Sequence, residues 1–191
     1  HKKFLGGTLP EIAAQKAGII KQGGVCLGPL LPAEARGVIS AEAEAKNAQC
    51  HFFAPVFEIA GRDWERGCMT LRHKKTGEEY PFGIMGEKQV SNATLVWEGL
   101  ELMRGAGWPI SRAHAAAGFA AVRWPARFQP LKGGPALGNA LFIIDGAHNE
   151  EAARAFAASW KASPFYGKKA AFVMGILQDK GFKVALVTDG R

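Results

Sequence analysis

The sequence holds only three cysteines, Cys26, Cys50 and Cys68, at wide spacing. An odd and scattered set gives neither a disulfide framework nor a zinc-ligand pair, and reads as reduced, small apolar residues of a cytoplasmic protein. No apolar run reaches the length of a membrane span, so neither a spanning helix nor a membrane partner is expected. No secretory leader precedes the first helical pattern: the chain opens His1-Lys2-Lys3. It also opens without methionine, which points to sequence upstream. The lysines and arginines are scattered and form no basic stripe interleaved with aromatics, so no nucleic-acid partner is expected. Internal repeats and low-complexity segments are lacking as well.

The 191 residues are 48% hydrophobic and 21% charged, a globular composition with enough chain for one ordinary domain or for parts of two. The net charge of +7 suits a polyanionic ligand. Much of it is also what any solvated surface carries.

Thr8-Leu-Pro-Glu11 is a capping box with proline in the first turn, which predicts a helix from about Leu9 to Ala17 that stops at Gly18. A short buried strand follows over 24–28, then an alanine- and glutamate-rich helix over 32–47. Strands are expected over 52–60 and 67–72, with Lys74-Lys-Thr-Gly77 as the turn of a hairpin whose second arm holds Tyr80 and Phe82. Ser91 and Ser111 are candidate N-caps, for helices over 92–104 and to about Phe119. Trp124-Pro125 breaks the pattern, and the stretch 129–135 is rich in glycine and proline. A strand over 141–144, a helix over 150–161 and a strand over 170–174 then predict a βαβ unit and a parallel sheet.

The stretch Leu141-Phe-Ile-Ile-Asp-Gly-Ala-His-Asn149 carries the most chemistry. A buried strand delivers Asp145, His148 and Asn149 to the mouth of a helix, the place where α/β sheets bind phosphates and nucleotides. Other candidates are less specific when read alone. Lys16 reads as an exposed helix-end lysine that complements the dipole. Asn92 reads as a polar first-turn residue, Arg127 as a surface arginine, His148 as a helix cap and His1 as a plain terminal histidine.

Three strings in this order change the weighing. They are Leu5-Gly-Gly-Thr-Leu-Pro-Glu-Ile-Ala-Ala-Gln-Lys-Ala-Gly-Ile-Ile-Lys21, Trp124-Pro-Ala-Arg-Phe-Gln129 and the 141–149 stretch. Together they resemble the folylpolyglutamate synthase/dihydrofolate synthase family, the folate branch of the Mur-ligase superfamily. The resemblance covers about residues 1–181. It implies an α/β fold: the end of a Mur-ligase-type P-loop ATPase central domain followed by the start of a Rossmann-like C-terminal ligase domain. Residues 1–123 would belong to the ATPase and folate-binding domain, 124–136 to the linker and 137–191 to the start of the ligase domain.

The same resemblance implies roles. Lys16 would be carbamylated and, as the carbamate, would bind magnesium. That reaction needs a neutral and therefore partly desolvated amine. His1, spaced from Leu5-Gly6 as in the family pattern His-x-x-x-Leu-Gly, would be a second magnesium ligand. Asn92, in Gly86-Glu-Lys-Gln-Val-Ser-Asn92, would contact ATP, although Lys88 stands where the family has histidine. Arg127 would leave the linker to meet the ATP phosphates, as a guanidinium fork suits a transferring phosphoryl group. Ala126 replaces the family's glycine beside it, and Gln15 replaces the usual glutamate beside Lys16. Asp145 would contact the nucleotide, and His148 and Asn149 the phosphates or the incoming amino acid. Asp179 and Lys180 match the family's Gly-x-Leu-x-Asp-Lys in Gly175-Ile-Leu-Gln-Asp-Lys180.

The implied reaction is ATP-dependent addition of L-glutamate to dihydropteroate or to the γ-carboxylate of folates, through an acyl phosphate. ATP and magnesium, with potassium as a further ion, are the expected cofactors. A monomer is expected. A Gly-x-x-Gly-Lys-Ser or -Thr phosphate loop is absent from these 191 residues, so the chain by itself is expected to be inactive. The ending Gly181 to Arg191 does not follow the family. Two other readings compete: a Mur-type ligase adding an amino acid to a cell-wall precursor, and a non-catalytic binding module on the same scaffold.

Overall fold

The computed structural model describes residues 7–138 and 140–175. They group into two compact units. One takes the chain up to Val56 together with Ser91–Ile110, and the other takes Phe57–Val90 and the chain from Ser111 onward.

The first unit begins with α1, Leu9–Ala17. Its capping box forms as the sequence predicts: Glu11 N–H donates to Thr8 Oγ1, and Glu11 Oε2 accepts from Thr8 N–H at 3.0 Å. These bonds, led by the Thr8 backbone, hold the Glu11 carboxyl below its usual range. Strand β1 (Val25–Pro29), helix α2 (Ala33–Ala45) and strand β2 (Gln49–Phe53) follow. β1 and β2 pair in parallel, from Val25 opposite Gln49 to Pro29 opposite Phe53. Alanines on both helices let α1 and α2 approach closely, and Ala17, Ile20 and Ala43 form their shared core. Lys46 closes the far end, donating to the Ile20 carbonyl at 3.0 Å and pairing with Glu42 at 2.7 Å.

The second unit opens with an antiparallel meander of β3 (Phe57–Asp63), β4 (Cys68–His73) and β5 (Glu79–Phe82). Its buried face is aromatic. Phe57 meets Tyr80 and Phe119 edge-on at 6.0 and 5.8 Å, and Phe82 meets Phe119 at 5.2 Å. Contacts of this kind contribute about 1 kcal/mol each beyond the area they bury. Phe119 lies on the helix Arg112–Ala121, which Ser111 caps with His114 in the reciprocal position. Gly83 lets the end of that helix close on the sheet: a Cβ there would stand 2.0 Å from the Val122 carbonyl oxygen.

The helix Lys88–Gly105 precedes it in the chain and runs across the boundary between the two groupings. In chain order these two helices are α3 (Lys88–Gly105) and α4 (Arg112–Ala121). After α4 come β6 (Gln129–Lys132), a short 3-10 turn (Pro135–Leu137), β7 (Leu141–Ile144) and α5 (Glu150–Ala162). No helix among the described residues is long and apolar enough to cross a membrane.

Three sequence expectations are corrected. The run 52–60 is two strands, because Pro55 has no N–H to give a ladder and the chain leaves β2 before β3 begins. Helix α3 starts at Lys88, a turn before the expected Ser91 cap, since Gly86 at φ +120° turns the chain and its carbonyl accepts from Gln89 N–H. Residues 170–174 form no strand, and β7 pairs antiparallel with β6. A parallel strand needs cover on both faces, yet Phe172 and Met174 are exposed and Val173 is fully so.

Candidate functional site

The β7–α5 loop and the segment 126–129 are built as one piece. Ala126 and Phe128 both adopt left-handed backbone, with φ +56° and +45°, on either side of Arg127. That conformation costs an L-residue about 1–2 kcal/mol, so neighbouring bonds must impose it. The Ala126 N–H donates to Gln129 Oε1 at 3.0 Å, and its carbonyl accepts from Gly146 N–H at 2.8 Å. Phe128 N–H donates to Asp145 Oδ2 at 2.8 Å. The Phe128 ring is buried between Trp64, at 5.3 Å, and Phe156, at 5.7 Å. The stack continues from Phe156 to Trp160 at 6.3 Å and from Trp160 to Phe172 at 5.2 Å.

Asp145 therefore spends both carboxylate oxygens on backbone: Oδ1 accepts from Ala147 N–H at 2.8 Å. The half-buried Arg127 lies over Gly146. A Cβ added at Gly146 would sit 3.4 Å from Arg127 Nη1 and 3.4 Å from the Ala126 carbonyl oxygen, so glycine leaves room for the guanidinium. His148 is exposed, with Nδ1 2.9 Å from the Gly146 carbonyl. With its proton on Nδ1 the ring donates there and keeps Nε2 as an acceptor.

Asn149 is the cap of α5. Its backbone is extended and its Oδ1 accepts from Ala152 N–H at 2.9 Å. The reading of His148 as the cap gives way accordingly. Glu150 and Glu151 occupy the first turn, and each is met by a cation: Glu150 by Arg154 at 2.8 Å and Glu151 by Lys88. With those carboxylates engaged, Arg127 and the positive end of the α5 dipole remain to attract an anion.

The other candidates fall elsewhere. Lys16 and Asn92 belong to the first unit and are both exposed. Lys16 stands in the last turn of α1, beside the buried Ala17. Its side chain is on the solvent-exposed side of that turn. His1, Asp179 and Lys180 lie outside the described residues. Among the described residues no group of three or more histidines, cysteines and carboxylates could hold a metal ion.

A cavity of about 370 Å³ in the second unit, lined in part by Arg62, Asp63, Cys68 and Arg123, contains none of the candidates. Burial and, after it, the Asp63 charge push the Cys68 thiol up.

No family model matches the chain. The folylpolyglutamate synthase of Lacticaseibacillus casei is 28% identical over 189 residues, which cover 95% of this chain and 42% of the relative. The dihydrofolate synthase/folylpolyglutamate synthase of Bacillus subtilis is 28% identical over 187 residues, covering 96% and 42%. A solved folylpolyglutamate synthase complex with AMPPCP and folate superposes with a TM-score of 0.69 at 26% identity, over 85% of this chain and 39% of that one. The Mycobacterium tuberculosis folylpolyglutamate synthase complexed with ADP gives 0.61 at 27%, over 82% and 35%.

Sequence and fold both resemble the folylpolyglutamate synthases. The α/β architecture expected from the Mur-ligase-type resemblance matches those structures. The chain spans about 42% of the length of the Lacticaseibacillus casei and Bacillus subtilis synthases. Two participants escaped the sequence reading. Lys88, noted only as a departure from the synthase pattern, pairs with the first turn of α5. Gln129, quoted only as part of a motif, holds the Ala126 amide with its side chain. The left-handed backbone at Ala126 is a region that glycine enters freely and alanine does not.

Proposed function

We propose that this chain is a segment of an ATP-dependent folate ligase, which adds L-glutamate to dihydropteroate or to the γ-carboxylate of folates through an acyl phosphate. The observation that carries the proposal is the joint built from Ala126 to Gln129 and from Asp145 to Asn149. It sets Arg127 beside the N-terminus of α5, in a chain that resembles ligases solved with AMPPCP, folate and ADP. Segment 124–136 is proposed as the interdomain linker of the complete protein.

The donors fit a polyphosphate. Arg127 would neutralise charge on the transferred phosphoryl group, beside the positive end of the α5 dipole. Asp145 would position Arg127 through the Phe128 amide and meet the nucleotide with its remaining lone pairs. His148, oriented by the Gly146 carbonyl, would act at the phosphates or the incoming glutamate, next to Asn149. Asn92 would contact ATP from the start of α3, and Asp179 and Lys180 would act after the next segment.

Magnesium is proposed on resemblance, with His1 and a Lys16 carbamate as ligands, and potassium as an accompanying ion. No step is routed through the carbamate.

The chain alone is proposed to be inactive, because it has no Gly-x-x-Gly-Lys-Ser or -Thr loop. The test is an assay of the protein that carries this segment, with ATP, L-glutamate and either pteroate, folates or UDP-muramyl acceptors. Extension of the pteroate or folate acceptors is expected. Extension of the muramyl acceptors alone would replace the proposal with a cell-wall ligase. Binding of nucleotide and folate without turnover would replace it with a binding module, the reading that the Lys88–Glu151 pair favours by occupying the place of a family histidine.

A further inference from the structure

Cys26 and Cys50 are register partners on the parallel strands β1 and β2. Partners in a ladder point to the same face, and both of these side chains pack on the one cluster of Ala17, Ile20 and Ala43. Neighbouring strands lie about 4.8 Å apart, within the Cα separation of about 4.4–6.8 Å that a disulfide spans. Neither thiol is fully buried. Cys68 lies in the other unit, on β4.

We propose that Cys26 and Cys50 form a vicinal dithiol that hydrogen peroxide converts to an intrachain disulfide. This inference does not rest on the ligase reading. In the first step the Cys26 sulfur attacks peroxide, the O–O bond breaks, and Cys26 becomes a sulfenic acid as water leaves. In the second step the Cys50 sulfur attacks that sulfur, the S–O bond breaks, and the Cys50 proton leaves with the departing hydroxide as a second water. Two thiols are oxidised by two electrons and one peroxide is reduced. Burial, with the Cys26 charge next, pushes the Cys50 thiol up to about 11. Cys50 attacks through its thiolate, so this rise slows the second step without changing its products. The bridge would fasten β1 to β2 directly beneath α1, whose Ala17 is next to Lys16.

The experiment is peroxide treatment of the chain, followed by intact mass and a non-reducing peptide map. The expected result is a loss of about 2 Da with a Cys26–Cys50 cross-linked peptide, reversed by dithiothreitol, with Cys68 still alkylated. C68S should behave like the parent. C26S and C50S should gain oxygen and form no bridge. A bridge to Cys68, a bridge between chains, or oxygen addition at Cys26 and Cys50 in the parent chain would overturn the proposal. The parent and C68S maps decide the matter even where a variant at 26 or 50 does not fold.

Discussion

The Asp145 carboxylate accepts the Phe128 amide at 2.8 Å across 17 residues of chain, and so fastens the segment beside Arg127 to the mouth of α5. Its second oxygen takes the Ala147 amide. Hydrogen bonds to a charged acceptor contribute about 1.5–3 kcal/mol each. D145A should lower the stability of the chain by about 3 kcal/mol, and D145N, which keeps one acceptor, by less. Urea denaturation measures both. An unchanged midpoint for D145A would remove the structural role given to this residue.

A126G should stabilise the chain. The residue sits at φ +56°, where alanine carries a steric cost that glycine does not. A gain of about 1 kcal/mol is expected, reduced by the greater freedom of glycine in the unfolded chain. Thermal unfolding of the two forms side by side gives the sign.

R127A, made in the protein that carries this segment, should cut turnover with ATP by about a hundredfold, the scale of removing one preorganised donor from a transition state. Its unfolding midpoint should stay that of the parent. A fall in KM affinity with kcat unchanged would assign Arg127 to ground-state binding only.

The Glu78 carboxyl is held below its ordinary range, first by the Tyr80 hydroxyl, which donates at 2.8 Å, and then by Thr76. A carboxyl lowered in the folded state contributes stability above its unfolded pKa and loses it as pH falls through the folded one. The stability difference between the parent and Y80F should therefore be present at neutral pH and shrink under acid, below the usual glutamate range. Urea midpoints across that pH series test it. A difference that grows on acidification would reverse the sign.

Local signals were legible from residues alone. The Thr8–Glu11 box fixed α1, and Ser111 fixed the start of α4, because a cap and its partner lie within one turn. The strand 141–144 and the helix after it were also readable, but the strand is not the buried one expected: Leu141, Phe142 and Ile144 are exposed. What escaped depends on distant partners. Residues 170–174 carry a strand-like apolar run, but among the described residues nothing covers Val173, and Phe172 and Met174 are exposed. Asp145 reads as a ligand-facing carboxylate, yet its Phe128 bond belongs to a tertiary closure that no short window contains. Lys88 became a partner of α5 only when the chain brought residues 63 positions apart together.

The row of rings from Trp64 through Phe128, Phe156 and Trp160 to Phe172 bears on where this polypeptide can be divided. The glycine- and proline-rich stretch after Gln129 looks like the natural place for scissors. A cut there would strand Phe128 and Trp64 on one product and their stacking neighbours on the other, leaving each with an oily, sticky flank. A recombinant piece that keeps the row whole carries Trp64 through Phe172, with β3 complete ahead of Trp64.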